Sequence, residues 1–429
     1  MNNKLILTRN INVLNNNKSS NNIDVITAFY SDERIREISL EPFSEDAALG
    51  SGILGNIYKC RVKNVVKNIK AAFVDIGFAT ECYLPFEEAD KELKNEQEIV
   101  VQVKRENIKT KVPYVSKNIE LTGRYVVIAL NYAKEYKDLR IGVSLKIEDV
   151  QKREDLKNDA RVRIEAMLTE LKSINEKLFE IINGHVSFII RTNAGDAKVE
   201  EVSSDIEVLF KKLYDIYLKS ETVPSKTCLY KKSADYIEAV RDVDFNEISE
   251  IVTDDKAIYE ELMEYMLLNI NGDKEFVKSV LRFYDSSVPL DSVYKISDAI
   301  NEALGKRVWL KSGGTLVIEP TEALVSIDVN TGKAIKSNKN NKDRNVLSIN
   351  MEACIEIAAQ LRLRNLSGMI MIDFINMNRD SDNKKVMKTL ADELKKDSVK
   401  ASVVDMTALG IVEVTRQKIK KPLYELLNP

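Results

Sequence analysis

The sequence predicts a multidomain protein of mixed class, α/β with an all-β part, and three observations carry that expectation. At 429 residues the chain is long enough for about three domains and a sizeable core. Residues 50–121 have an all-β texture, with short alternating runs broken by turn glycines. Residues 316–377 read as strand, helix, strand, the pattern of a crossover in an α/β sheet.

Composition narrows the chemistry. With 44% hydrophobic and 31% charged residues the chain is an ordinary globular one. Its formal net charge of -3 offers no bulk attraction to a polyanion, so any nucleic-acid contact must come from local basic clusters. The four cysteines, Cys60, Cys82, Cys228 and Cys354, form no Cys-x-x-Cys pair and read as free thiols of a reducing cytoplasm. The start, MNNKLILTRN, has only three consecutive apolar residues and suits neither a signal peptide nor a membrane span, so a cytoplasmic location is expected. His185 is the single histidine and reads as a strand-start residue. That excludes paired-histidine nucleases and most Ser-His-Asp layouts, leaving carboxylates and a metal as the machinery.

Taken in order, residues 1–42 hold strand-like runs at 4–8, 24–29 and 35–40, joined by an Asn-rich turn at 15–22. Residues 50–121 combine short strands, basic residues and interleaved aromatics, as in a small OB-type barrel with an RNA-binding face. Residues 147–180 form a charged amphipathic helical stretch with an apolar stripe at Ile164, Leu168 and Leu171. The run FIIRTNAG at 188–195 is a strand ending in a guanidinium, a hydroxyl and a flexible turn. Arginine grips phosphate oxygens with a rigid fork that a hydroxyl and backbone amides can complete. Asp242 and Asp244 read as a surface turn.

Residues 323–329 and 369–375 are apolar runs rich in β-branched residues, the pattern of strands buried on both faces. Each carries one aspartate near its end, Asp328 and Asp373. Between them Met351, Ile355, Ala358 and Leu361 recur at helical spacing, with Asn350 as the expected cap. Ligands of such sheets gather outside the carboxyl ends of the strands, which would bring both aspartates to one edge. A lone aspartate there would only cap a strand end in solvent. Two repel each other unless a divalent cation sits between them, and carboxylate oxygens favour Mg²⁺, with Mn²⁺ as the alternative. The loop 332–344, carrying Lys333, Lys336, Lys339, Lys342 and Arg344, reads as a phosphate-steering segment.

The segments TEALVSIDVNTGK, NMEACIEIAAQLRLRNLSGMIMIDFINM and GIVEVTRQK resemble the catalytic domain of the bacterial ribonuclease E/G family. GNIYKCRV with AAFVDIGFATECYLP is similar to that family's inserted RNA-binding barrel, and LTGRYVV to the segment facing a 5′-phosphate. The resemblance implies a ribonuclease H-like domain over 1–42 and 219–284, interrupted by an OB-type barrel at 43–121 and a 5′-sensor region at 122–218. A deoxyribonuclease I-like α/β catalytic domain at 285–420 and a tail at 421–429 would follow. It also implies that Asp328 and Asp373 hold Mg²⁺ and that Asn330 supports them at the scissile phosphate. Phe73 and Tyr83 would stack on bases, with Arg105 and Lys111 as a basic rim. The apolar run around Phe73 leaves open whether that ring serves the face or the barrel core. Arg191, Thr192, Gly123, Val127 and Lys400 would bind the terminal phosphate.

Two departures stand out. Asn376 occupies the place of a family acid, and Lys400 that of an arginine, keeping the charge without the bidentate geometry. A third feature sets the expectation for assembly: the sequence lacks the family's Cys-x-x-Cys link, so no zinc and no zinc-linked dimer is expected. The implied function is a Mg²⁺-dependent, single-strand-specific endoribonuclease of RNA processing and decay. It would prefer 5′-monophosphorylated RNA and leave 3′-hydroxyl and 5′-phosphate ends. The alternative is a catalytically weak or inactive RNA-binding protein of the same fold.

Overall fold

Strand Asn3–Thr8 pairs antiparallel with Ile23–Ser31 and parallel with Ile248–Thr253, so the two ends of a long excursion meet in one sheet. The computed structural model describes residues 3–9, 23–42, 52–89, 93–106, 112–131, 135–270, 273–332 and 342–427. It divides into two compact units, residues 43–244 and residues 1–42 with 245–429. The chain is therefore a mixed α/β protein with a closed five-strand, OB-like barrel and several further sheets. No described helix is long and apolar enough to cross a membrane.

In the 43–244 unit, strands Ile57–Val66, Ala71–Asp75, Cys82–Pro85, Tyr114–Ser116 and Glu98–Arg105 follow one another around a barrel, which the first and last close by pairing together. Period-two alternation sorts the side chains. Tyr58, Cys60, Val62, Ala72, Val74, Leu84, Val101, Val103 and Val115 fill the interior. Phe73 and Tyr83, one residue out of phase, stay only half-buried. Strand Thr227–Tyr230 adds to the outside of this ring by pairing with Ile57–Val66.

The same unit holds a four-stranded sheet, Arg140–Val143, Val186–Ile190, Val126–Leu130 and Ile119–Thr122 in spatial order. It shares one apolar core with helices Val150–Ile174 and Val199–Thr222. The first helix starts at a cap, Asp149, whose side chain accepts from the Lys152 amide, and it buries Leu156, Ala160, Ile164, Leu168 and Leu171 at helical spacing.

In the other unit, a five-stranded sheet runs Leu281–Phe283, Ile248–Thr253, Asn3–Thr8, Ile23–Ser31, Arg34–Pro42. A six-stranded mixed sheet runs Arg307–Trp309, Thr315–Pro320, Val325–Asn330, Gly368–Asp373, Ile411–Arg416, Ala401–Met406. Helices Lys342–Leu363 and Asp380–Leu394 share a core with one face of this second sheet: Ala353, Cys354, Ile357, Leu361, Val386 and Leu390 against Ile318, Ile327, Ile370, Ile372, Val412 and Val414.

That arrangement corrects two sequence expectations. The aspartate-bearing strands are buried on one face only: Val325, Ile327 and Val329 are covered while Asp328 and Asn330 are exposed, because among the described residues helices lie on one side alone. The helix also begins at Lys342, not at Asn350. Asn350 is fully buried in mid-helix, donating through Nδ2 to the Ile375 carbonyl at 2.8 Å and accepting from the Ile375 amide at 3.2 Å. An amide that can satisfy both backbone groups of a neighbouring strand end serves better there than as a cap. Ile355, expected in the apolar stripe, is 48% exposed, and the covered stripe runs through Cys354 instead.

Arg416 pins the sheet at its far end. Its Nε donates to Asp397 Oδ2 at 2.8 Å and its Nη1 to Asn365 Oδ1 and the Leu366 carbonyl at 2.9 and 3.0 Å. The arginine and aspartate side chains are 4% and 1% exposed. A buried pair that loses one member leaves an uncompensated charge. Asp397→Ala is therefore expected to destabilise the protein by about 3 to 5 kcal/mol. Denaturant titration checks this, and a shift under 1 kcal/mol, within ordinary surface scatter, would contradict it.

Candidate active site

Asp328 and Asp373 are direct partners in the parallel register of their two strands. Partners on adjacent strands point to the same face, so the two carboxylates stand side by side on the open face of the sheet, both exposed. Asn330 is one side-chain period further along, and its Nδ2 donates to Asp328 Oδ2 at 2.6 Å. Asn376, past the end of the Asp373 strand, is also exposed.

Two adjacent carboxylates fit a hard divalent cation that keeps much of its water shell. Mg²⁺ is commonly held by one or two carboxylates, with waters and substrate phosphates completing its octahedron. Among the described residues no group of three or more His, Cys, Asp or Glu converges on a metal-sized site, so a cation here would rest on this pair. Of the basic loop beside the pair, 333–341 falls outside the described residues.

On the barrel, Phe73 and Tyr83 are cross-strand partners with ring centroids 6.1 Å apart, edge to face. Tyr114, which the sequence reading passed over, lies 6.1 Å from Tyr83, and the Arg105 guanidinium sits 5.5 Å above the Tyr114 ring. These four side chains form one continuous strip of aromatic rings ending in a cation. Burial pushes the Tyr114 hydroxyl up to about 12, with nearby Glu88 and Glu87 adding to it, so that ring stays neutral at any physiological pH. The ambiguity over Phe73 resolves: its strand neighbours Ala72 and Val74 fill the core while its own ring joins the outer strip. The signal was the alternation Tyr114-Val115, apolar-in and aromatic-out. Lys111 lies outside the described residues.

Arg191 follows strand Val186–Ile190, and its side-chain hydrogen bonds among the described residues all run through Nη1: to the Gly123 carbonyl at 2.7 Å, the Arg124 carbonyl at 3.4 Å and Asp242 Oδ1 at 2.6 Å. Nε and Nη2 have no partner among the described residues. Asp242 is thus the counter-ion of this guanidinium and of Arg241, which corrects its reading as a plain surface turn. Burial alone would raise its carboxyl, but the hydrogen bonds from Arg241 and Arg191 outweigh it and hold the group below the usual range.

The turn next to Arg191 is anchored by Asp205, whose Oδ2 accepts from the Tyr125 and Val126 amides at 2.7 and 2.9 Å. A Cβ at Gly123 would collide with that carboxylate, which explains the glycine. Burial raises the Asp205 carboxyl even against those two amides. The Gly123 amide is spent within the turn on the Val126 carbonyl, and the Thr192 hydroxyl meets Ser144 Oγ at 2.9 Å. Val127 is half-buried in the adjoining strand. Lys400, exposed just before strand Ala401–Met406, belongs to the other compact unit.

The remaining reactive groups are quiet. Cys60 and Cys82 share the barrel core, and burial raises both thiols, Cys82 to about 12. Cys354, in helix Lys342–Leu363, is likewise raised to about 12 by burial. Such thiols are poor nucleophiles and poor metal ligands. His185 immediately precedes its strand and lies 3.3 Å through Nδ1 from the Asn131 carbonyl.

Comparison with known proteins adds a separate line of evidence. The sequence model of the ribonuclease E/G family matches residues 120–419. Ribonuclease G of Haemophilus influenzae is 32% identical over 416 residues, covering 92% of this chain and 77% of that protein. Ribonuclease G of Escherichia coli K12 is 32% identical over 396 residues, 88% of this chain and 75% of that one. Ribonuclease E of a Nostoc species is 32% identical over 427 residues, 94% of this chain but 56% of its own length.

Proposed function

The chain belongs to the ribonuclease E/G family, and from that membership we propose an endoribonuclease that cleaves single-stranded RNA with Mg²⁺, prefers a 5′-monophosphate, and leaves 3′-hydroxyl and 5′-phosphate ends. The observation that carries the reading is the in-register Asp328 and Asp373 pair on an open sheet face beside Asn330. The domain assignment belongs to the same proposal: ribonuclease H-like at 1–42 and 219–284, barrel at 43–121, 5′-sensor at 122–218 and deoxyribonuclease I-like at 285–420. RNA processing and decay in the cytoplasm is the setting this activity suits.

Asp328 and Asp373 would hold the cation, which when bound lowers the pKa of water and offsets phosphate charge. Asn330, already hydrogen-bonded to Asp328, fixes that carboxylate and presents its amide to the scissile phosphate. The aromatic strip of the barrel takes bases by stacking, which every base can supply and which therefore suits a single strand of any sequence. Arg191, with Nε and Nη2 unspent among the described residues, offers a charged edge to a terminal phosphate, and Thr192 stands next to it.

A direct test is incubation of the purified protein with a 5′-monophosphorylated single-stranded RNA, with and without Mg²⁺. Cleavage only with the metal is expected. Binding without cleavage would favour the second reading, a non-catalytic RNA-binding protein, for which Asn376 in place of an acid is the motivating observation.

The barrel strip gives its own prediction. Phe73→Ala or Tyr83→Ala is expected to weaken single-stranded RNA binding by about 1 to 3 kcal/mol. The fold should persist, because neither ring belongs to the barrel core. Fluorescence anisotropy with a labelled oligonucleotide measures it, and unchanged affinity in both variants would remove the strip from the RNA path.

A further inference from the structure

The strand Arg307–Trp309 forms the edge of the six-stranded sheet beside Thr315–Pro320. Its register extends the rows that contain the acids. Arg307 pairs with Val317, Val317 with Asp328, and Asp328 with Asp373. Trp309 pairs with Thr315, and Thr315 with Asn330. Val308 between them packs into the helix-covered core, so Arg307 and Trp309 point to the same open face as the carboxylates. Two strand spacings, about 10 Å, separate Arg307 from Asp328 and Trp309 from Asn330.

Both side chains are uncommitted. Trp309 is 64% exposed, although an indole is the largest apolar surface a side chain can bury. Arg307 is exposed and its side chain has no hydrogen bond or ion pair among the described residues, a state it shares with Arg379, whereas Arg34, Arg36, Arg362 and Arg416 of the same unit are ion-paired. A single exposed aromatic is common on protein surfaces and by itself signifies nothing. Here it stands with a guanidinium unpaired among the described residues, on the sheet face that carries Asp328 and Asp373. An open sheet with aromatic and cationic side chains is the surface on which proteins splay single-stranded bases.

We propose that Trp309 is a nucleobase-stacking subsite of the catalytic sheet, with Arg307 contacting the adjoining phosphate, so that the nucleotide next to the cleaved bond is held on the edge strand. This rests on the reading of Asp328 and Asp373 as the cleavage site. Stacking on Trp309 is sequence-tolerant and needs an unpaired base, so it adds selection for single strands at the site itself, separate from the barrel strip.

Trp309 is the only tryptophan in the chain, so intrinsic emission reports on this one position. The experiment uses full-length Asp328→Asn protein with Mg²⁺ and a ten-nucleotide single-stranded RNA, with binding followed in parallel by anisotropy. Tryptophan emission is expected to fall, and its quenching by acrylamide to decrease, over the same titration. In the otherwise wild-type enzyme, Trp309→Ala is expected to raise KM roughly 5- to 150-fold with a smaller change in kcat, and Trp309→Phe to restore most of the loss. RNA that binds without altering emission or acrylamide access overturns the subsite, as does Trp309→Ala cleaving with wild-type KM. If Asp328→Asn still cleaves at the wild-type rate while emission falls, RNA occupies this face but the acid-pair reading is the one that fails. RNA that does not bind at all overturns both.

Discussion

Asp328→Asn or Asp373→Asn is expected to reduce cleavage by about 10²- to 10³-fold or more, the range seen when one preorganised charge-stabilising group is lost. Asparagine keeps the shape of the side chain and removes the charge. Because the two carboxylates are partners across the parallel register, either substitution leaves a single anionic ligand where two stood together. The fold should be indifferent: both side chains are exposed, and the strands are held by Ile327, Ile370 and Ile372 on the opposite face. Stability is expected to change by no more than about 0.5 kcal/mol, as for other surface sites. Initial rates on a single-stranded RNA, thermal melts and binding by anisotropy separate the two effects. EDTA should stop the wild-type reaction and leave RNA binding largely intact. Cleavage by both variants at near wild-type rates would end the assignment.

What the sequence could and could not say about this site has a physical basis. Period-two alternation reports which residues of a strand are covered, so the aspartates at 328 and 373 stood out as polar residues in apolar runs. The same runs looked buried on both faces, because Met369 and Met371 add hydrophobic residues to the open side, where Met369 is 51% exposed. The barrel aromatics Phe73 and Tyr83 came from the family resemblance, since the apolar run around Phe73 blurs the alternation, and Tyr114 sits on a strand only three residues long.

Side-chain partners across long separations carry no local signal. Asp242 is 51 residues from Arg191, and Asn350 is 25 from Ile375. Asp242 looked like a turn acid, and Asn350 like a helix cap, until the fold brought their partners to them. Trp309 and Arg307 are a related case. Their three-residue strand has nothing distinctive in its sequence, and only the sheet register aligns it with the acids.

Arg191→Ala is expected to lower the preference for 5′-monophosphate over 5′-hydroxyl ends by roughly 10- to 150-fold, the worth of charge-assisted hydrogen bonds at about 1.5 to 3 kcal/mol. The guanidinium is preorganised: Nη1 is fixed by the Gly123 carbonyl and Asp242, so little side-chain freedom is left to lose when Nε and Nη2 meet a phosphate. Arg191→Lys keeps the charge without the fork and should recover only part of the preference. The pH dependence separates the groups. Asp242 is held below the ordinary carboxylate range, so its contribution to stability is fully present above the unfolded value near 3.9 and is lost only as pH falls through its lower folded value. Between pH 6 and 8 it stays charged and contributes no slope. A terminal phosphate loses its second charge near pH 6, so the preference should decline as pH drops from about 7 to 5.5 through the ligand and not the protein. Competition between 5′-phosphorylated and 5′-hydroxyl forms of one RNA across that range measures both effects. Equal wild-type rates on the two ends at pH 7.5, or an Arg191→Ala enzyme with undiminished preference, would remove Arg191 from the recognition of the 5′ end.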